Sequence, residues 1–305
     1  MILSVTLNPS VDRTLFVETL KVADTNRIVR TETDAGGKGV NVARVAAELG
    51  LDVIATGFLA GKPGLFVKQV LDEEAVSHSF IEVPGETRLN ILVETTEGPP
   101  TTFNERGPVI SKDSWTELLD AIGSRIGWFN YVVMGGSIPP GLGAEAFGEI
   151  LTSVNKPCVV DADGDALRLA LDRKPFMVKP NRQEAERLLN VTIGDIGQAL
   201  RAARELRNRG VTIAIVSLGK DGAVMASDQG EFIADAPRVE VVSTVGAGDS
   251  LIGGFLHRLE LRMDHADCLR WGVAAGAATA TTSASEICRR AKVEELLPSV
   301  IIREP

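Results

Sequence analysis

The chain has 305 residues, 44% of them hydrophobic, which is enough for one large α/β domain or two smaller ones with a substantial core. Its 41 acidic against 32 basic residues give a net charge of −9, and this argues against nucleic-acid binding, where phosphates are held by clustered Lys and Arg. No run reaches the roughly 18 apolar residues of a membrane span, no basic stretch with a cleavage site opens the chain, and Cys158, Cys268 and Cys288 have no metal-ligand spacing, so a cytoplasmic, reducing setting is expected.

Ile2 to Leu7 reads as a buried strand. Residues 11 to 33 partly alternate apolar and polar, as half-exposed strands do. A glycine-rich turn follows, Asp34-Ala-Gly-Gly-Lys-Gly-Val-Asn-Val-Ala-Arg44, and opens a helix with the stripe Val42, Val45, Ala46 and Leu49. Val53 to Phe58 is a second buried strand. Thr87 to Glu94 and Thr101 to Asn104 alternate again. Together with 11 to 33 they predict a small separate sheet that serves as a lid, a dimer surface or both; an antiparallel edge of the main sheet is the alternative.

Helical patterns at Trp115–Ile126, Ala144–Val154, Asp165–Leu171 and Gln183–Leu189 then alternate with apolar runs at Tyr131–Met134, Cys158–Val160, Phe176–Val178 and Ile213–Val216. Such alternation predicts a mostly parallel sheet covered on both faces, with ligands gathered at the carboxyl ends of its strands.

The candidate chemistry falls just after these runs. Ser243-Thr-Val-Gly-Ala-Gly-Asp-Ser250 places Gly246, Ala247 and Gly248 directly before Asp249, and a buried helical stripe follows at Leu251, Ile252, Phe255 and Leu256. Free N–H groups at a helix start attract anions, and a carboxylate beside them is placed to remove a proton from a nucleophile attacking phosphorus. Ordinary capping is the alternative. Gly37, Lys38, Gly39 and Asn41 could admit a polyhydroxylated ligand against bare backbone, or form only a tight turn. In Val178-Lys-Pro-Asn-Arg-Gln-Glu184, Asn181 and Glu184 share a helical face, a pattern that suits either hydrated Mg²⁺ beside nucleotide phosphates or capping. Gly136 and Ser137 could meet a substrate phosphate, or form only a structural turn. The stretch from Ser217 to Gly222 could let a nucleotide lie flat, or start a hairpin. Arg27, Arg88 and Arg106 fall in or beside the alternating strands and are candidate phosphate ligands, with simple solvation as the alternative.

Four motifs in this order, Thr6-Leu-Asn-Pro-Ser-Val-Asp12, Gly36 to Arg44, Val178 to Glu184 and Val245 to Ser250, make the whole chain resemble the PfkB, or ribokinase-like, carbohydrate kinases, and their sugar-phosphate branch in particular. The resemblance implies a single domain over 1–305, a three-layer αβα sandwich with a small β lid inserted at about 11–33 and 87–106, and a homodimer formed through the lids. It implies ATP and Mg²⁺ as cofactors and a small sugar phosphate as substrate. Asp249 would be the base and the N–H groups of Ala247, Gly248 and neighbours such as Gly246 the anion hole. Asp12, Gly37, Gly39 and Asn41 would hold sugar hydroxyls. Arg27, Lys38, Arg88 and Ser137, with Arg106 nearby, would engage the acceptor's phosphate. Lys179, Asn181 and Glu184 would organise ATP phosphates and Mg²⁺, and Ser217, Gly219 and Gly222 would line the nucleotide site.

Thr281-Thr-Ser-Ala-Ser-Glu286 stands where related kinases often carry a Gly-Thr pair near a monovalent cation, a departure that leaves dependence on potassium (K⁺) open. Fructose 1-phosphate is the favoured acceptor, with fructose 6-phosphate and tagatose 6-phosphate as alternatives. A sugar-phosphate sensor without catalysis is the reading from another class, and the presence of Asp249 weighs against it.

Overall fold

A computed structural model describes residues 1–96, 98 and 100–305. Its strands are β1 (Ile2–Thr6), β2 (Ser10–Val17), β3 (Ile28–Gly36), β4 (Val53–Leu59), β5 (Ser77–Glu82), β6 (Arg88–Thr95), β7 (Thr101–Asn104), β8 (Tyr131–Gly135), β9 (Cys158–Asp161), β10 (Met177–Val178), β11 (Ile213–Ser217), β12 (Ala223–Ser227), β13 (Gly230–Asp235) and β14 (Ile301–Arg303). Its helices are α1 (Lys38–Glu48), α2 (Gly61–Glu73), α3 (Lys112–Arg125), α4 (Ala146–Ser153), α5 (Gly164–Leu171), α6 (Arg182–Leu189), α7 (Ile196–Asn208), α8 (Ala247–Glu260), α9 (His265–Thr279) and α10 (Arg290–Leu296).

Ten strands form the main sheet in the order β14-β13-β12-β11-β10-β9-β8-β1-β4-β5. From β11 to β5 every pairing is parallel; β12, β13 and β14 close one edge antiparallel. Parallel strands covered on both faces must be apolar on both, and β1 shows it: Ile2 faces the core under α1, α8 and α9, while Leu3 and Val5 face the core under α3 and α4. The result is the expected three-layer αβα arrangement. No helix among the described residues is long and apolar enough to cross a membrane.

Order reverses at β1. The chain proceeds outward through β4 and β5 on one side and later through β8 to β11 on the other. A crevice opens at such a switch point, at the carboxyl ends of the strands. Beside it stands a second sheet, β3-β2-β6-β7, built from the two alternating segments. The alternative of an antiparallel edge is therefore corrected, since these strands pair only with one another. Within the expected range 87–106, positions 97 and 99 lie outside the described residues. The base of the small sheet is tied to the main domain by buried Arg44 on α1, whose guanidinium meets Asp34 Oδ2 at 3.0 Å, Glu74 Oε2 at 2.7 Å and the carbonyl of Ala35 at 3.0 Å.

Candidate active site

Helix α8 starts at the crevice on Gly246, which adopts the left-handed conformation (φ 74°) and offers no side-chain cap. A side chain at 246 would be strained, and the bare start leaves the Gly248 N–H free to face a ligand, while Ala247 N donates to the Thr244 carbonyl at 3.4 Å. Lys179, at the end of β10, brings its ammonium there: a Cβ on Gly248 would lie 3.1 Å from Lys179 Nζ. One turn in stands Asp249, 6% exposed, and its Oδ2 accepts from Asn41 Nδ2 on α1 at 2.8 Å.

Burial pushes the Asp249 carboxyl up to about 7, and the Asp161 charge adds to this, while Lys38, Asn41 and Lys179 act in the opposite direction. Asp161, at the carboxyl end of β9, is 1% exposed and sits between two lysines, Lys38 Nζ at 2.9 Å and Lys179 Nζ at 3.3 Å. Burial opposes its charge, but the two ammonium groups hold it below the usual carboxylate range. Burial likewise opposes the Lys38 ammonium; Asp161, then Glu184 and Asp249, more than compensate. Asp161 is a site residue that the sequence reading missed. Its signal was present: a carboxylate ending the apolar run Cys158-Val-Val, where a buried charge needs partners.

Asn181 and Glu184 form a reciprocal capping box on α6: Asn181 Oδ1 accepts from Glu184 N at 2.9 Å, and Glu184 Oε2 accepts from Asn181 N at 2.8 Å. The capping alternative thus holds, and it engages one lone pair of Asn181 Oδ1. Glu184 Oε1 remains, 3.7 Å from Lys38 Nζ. Among the described residues no group of three His, Cys, Asp or Glu side chains could hold a metal alone.

The glycines of the 36–41 turn have packing reasons of their own. A Cβ on Gly39 would lie 2.7 Å from the Val5 carbonyl, and Gly37 (φ 109°) would meet Thr6 Cγ2 at 2.9 Å. The small polar residues of β1 allow this approach, with Ser4 Oγ donating to the Gly39 carbonyl at 2.7 Å. Ser217 bridges to Asn181 and leads into the hairpin of β12 and β13. Gly222 is required there, since a Cβ would lie 2.8 Å from Ala236 N, whereas Gly219 (φ 62°) faces open space.

At the mouth, Asp12 on β2 accepts from Ser10 Oγ at 2.7 Å and Asn90 Nδ2 at 2.9 Å. Arg88 donates to Asn90 Oδ1 at 3.1 Å; burial lowers its guanidinium, and Asp12 partly offsets this. Lys38 links the two ends of the cleft, because its Cβ packs against Gly135, just before Gly136 and exposed Ser137. Arg106 is exposed on the loop after β7, and Arg27 is exposed on the segment entering β3. Asn90 was also missed; nothing in its alternating segment marks it until β2 and β6 are paired, with Asp12 opposite Asn90.

A family model described as pfkB family carbohydrate kinase matches residues 5–292. The 1-phosphofructokinase of Escherichia coli strain K12 is 34% identical over 300 residues, covering 97% of this chain and 96% of that protein. The 1-phosphofructokinase of Haloferax volcanii is 38% identical over 274 residues, with coverages of 90% and 88%. A crystal structure of phosphofructokinase-2 from Escherichia coli in complex with substrates and products superposes with a TM-score of 0.90 at 28% identity, over 97% of this chain and 98% of that one.

Proposed function

This chain belongs to the pfkB family of carbohydrate kinases, and we propose that within it the protein transfers the γ-phosphoryl of ATP to fructose 1-phosphate, giving fructose 1,6-bisphosphate. It is a phosphotransferase acting on a sugar phosphate. The preference for fructose 1-phosphate draws on its similarity to 1-phosphofructokinases along almost the whole chain.

One observation carries the chemical reading: a buried carboxylate, Asp249, lies in the first turn of an uncapped helix and is steered by Asn41. Asp249 takes the proton of the sugar hydroxymethyl as that oxygen bonds to the γ-phosphorus. The bond from the γ-phosphorus to its bridging oxygen breaks, and ADP leaves. The N–H groups from Gly246 to Gly248 and the Lys179 ammonium face the oxygens of the migrating group, where charge must be stabilised without solvent rearrangement. Glu184 Oε1 is the carboxylate oxygen left for Mg²⁺, directly or through water, and Mg²⁺ ordinarily binds through one or two carboxylates with nucleotide phosphates and waters. When bound it neutralises charge on the phosphates. Beside Thr281–Glu286, the Ala280 and Ala284 carbonyls accept from Val242 N and Ser243 Oγ.

Asp12, Asn41, Gly37 and Gly39 surround the sugar in this reading, and Lys38, Arg88, Arg106 and Ser137 face its phosphate. Ser217 and Gly219 border the nucleotide. The small sheet acts as the lid that excludes water from transfer. It also offers a surface for a second copy, with Val29 70% and Phe103 56% exposed on its edge strands, and in this reading Arg27 engages the acceptor's phosphate from that side. The cytoplasm, where its three buried thiols stay reduced, is the expected setting.

The test is a steady-state assay with ATP, Mg²⁺ and each ketohexose phosphate in turn. The highest kcat/KM is expected with fructose 1-phosphate. A higher value with fructose 6-phosphate or tagatose 6-phosphate overturns the acceptor, and no transfer to any of them overturns the kinase reading.

A further inference from the structure

Asn8 lies where three distant parts of the chain meet. It follows β1 and is 3% exposed. Its Nδ2 donates to the Arg106 carbonyl at 3.1 Å and to Ser137 Oγ at 3.0 Å, and its own main-chain carbonyl accepts from Arg88 Nε at 3.2 Å. The Arg106 carbonyl needs a donor, so the amide faces it with nitrogen; turned over, Oδ1 would oppose another acceptor. In the orientation adopted, Oδ1 is buried without a hydrogen-bond partner among the described residues and is packed against Gly107. Gly107 adopts φ 90°, and a Cβ there would run into Oδ1.

We propose that Asn8 is the positioning residue of the acceptor-phosphate subsite. It fixes the mutual placement of Arg88, the Arg106 loop and Ser137 without itself touching the phosphate. This rests on the reading above that those three residues take the phosphate already on the sugar. Arg88 begins a strand, while Arg106 and Ser137 stand on exposed loops after β7 and β8. Groups on separate loops bind an anion well only if their spacing is set beforehand, since otherwise the ligand must order them. One side-chain amide nitrogen bonded to both loops, with the backbone of the same residue bonded to Arg88, provides that spacing. A buried acceptor without a partner is costly for stability. An apolar side chain would avoid the cost, but it would also lose both loop contacts.

The experiment compares Asn8→Ala, Asn8→Asp, Gly107→Ala and Arg88→Ala with the unmodified protein. KM for fructose 1-phosphate and for ATP are measured separately, with calorimetric binding of each. Asn8→Ala is expected to raise KM for fructose 1-phosphate about tenfold, the equivalent of one well-placed hydrogen-bonded contact, and to leave KM for ATP within about twofold. Asn8→Asp should raise it further, because a carboxylate opposes both the Arg106 carbonyl and the incoming phosphate. Gly107→Ala should give the same split from the other side of the contact, and it tests the proposal even if both Asn8 variants fail to fold. Equal rises in both KM values, or loss of kcat at unchanged KM, would overturn it. Arg88→Ala separates the two layers. If it leaves fructose 1-phosphate binding unchanged, the subsite reading falls and the Asn8 role with it. If it weakens that binding while Asn8→Ala and Gly107→Ala do not, only the Asn8 role falls.

Discussion

Asn41 and Asp249 come from the first turns of two different helices, yet the amide of one donates to the carboxylate of the other at 2.8 Å. Their approach depends on Gly253, because a Cβ there would lie 2.5 Å from Val45 Cγ1 on α1. The contact between helices therefore sets the position of Asp249, the proposed base. Asn41 stabilises the ionised carboxylate, while burial and Asp161 favour the protonated form. For a base near 7, activity should rise with pH through about 7. Replacing Asn41 by Leu removes the donor, so the acid limb of the pH profile of kcat/KM should move up by roughly one to two units, the value of a hydrogen bond to a charged group. A limb that stays in place would exclude this role for Asn41.

Asp249→Asn should lower kcat by about 10² to 10⁴, as expected for loss of a general base. A fall below tenfold, with the fold intact, would remove Asp249 from the mechanism.

The same variant has a second expected effect, on stability. The folded carboxyl binds its proton up to about 7, whereas the unfolded one releases it near 3.8. Between these values the native state holds more protons than the unfolded chain, so this group's contribution to stability declines as pH rises through that window. Asp249→Asn carries no such charge and should have a higher Tm than the unmodified protein at pH 8, by roughly a few degrees. The difference should vanish near pH 4. Thermal melts at both pH values check the sign.

Asp161→Asn leaves two lysines, one of them 3% exposed, facing a neutral amide. Breaking a buried pair by removing one partner costs about 3–5 kcal/mol, which for a chain of this size is about 5–8 °C in Tm. An unchanged Tm would show that Lys38 and Lys179 find water or other acceptors at no cost.

The lid role of the small sheet predicts slower amide exchange over residues 10–36 and 88–104 when fructose 1-phosphate and a non-hydrolysable ATP analogue are both bound. Exchange unaltered in those strands would count against closure.

Where one period or one turn decides, the chain was legible. The apolar runs of β1, β4, β8, β9, β10 and β11 and the stripes of α1 and α3 to α6 mark the sandwich, and Gly246 to Asp249 mark the start of α8. Asp161 and Asn8 were harder to find because their partners lie far away in sequence. Lys38 is 123 residues from Asp161, and Ser137 is 129 residues from Asn8, distances over which local pattern carries no information. Asn181 and Glu184 show the reverse difficulty. A spacing of three suits a metal and a cap equally, and the cap shows only in their reciprocal hydrogen bonds.

The pairing of Lys38 and Lys179 through Asp161 makes the cleft a charge-exchange site rather than an open positive well. Each ammonium is already engaged by a protein carboxylate, so a weakly charged or singly bound anion gains little by displacing it. In the proposed reading Lys38 serves the acceptor's phosphate and Lys179 the migrating phosphoryl, so Asp161 ties the two ligand sites to each other through charge.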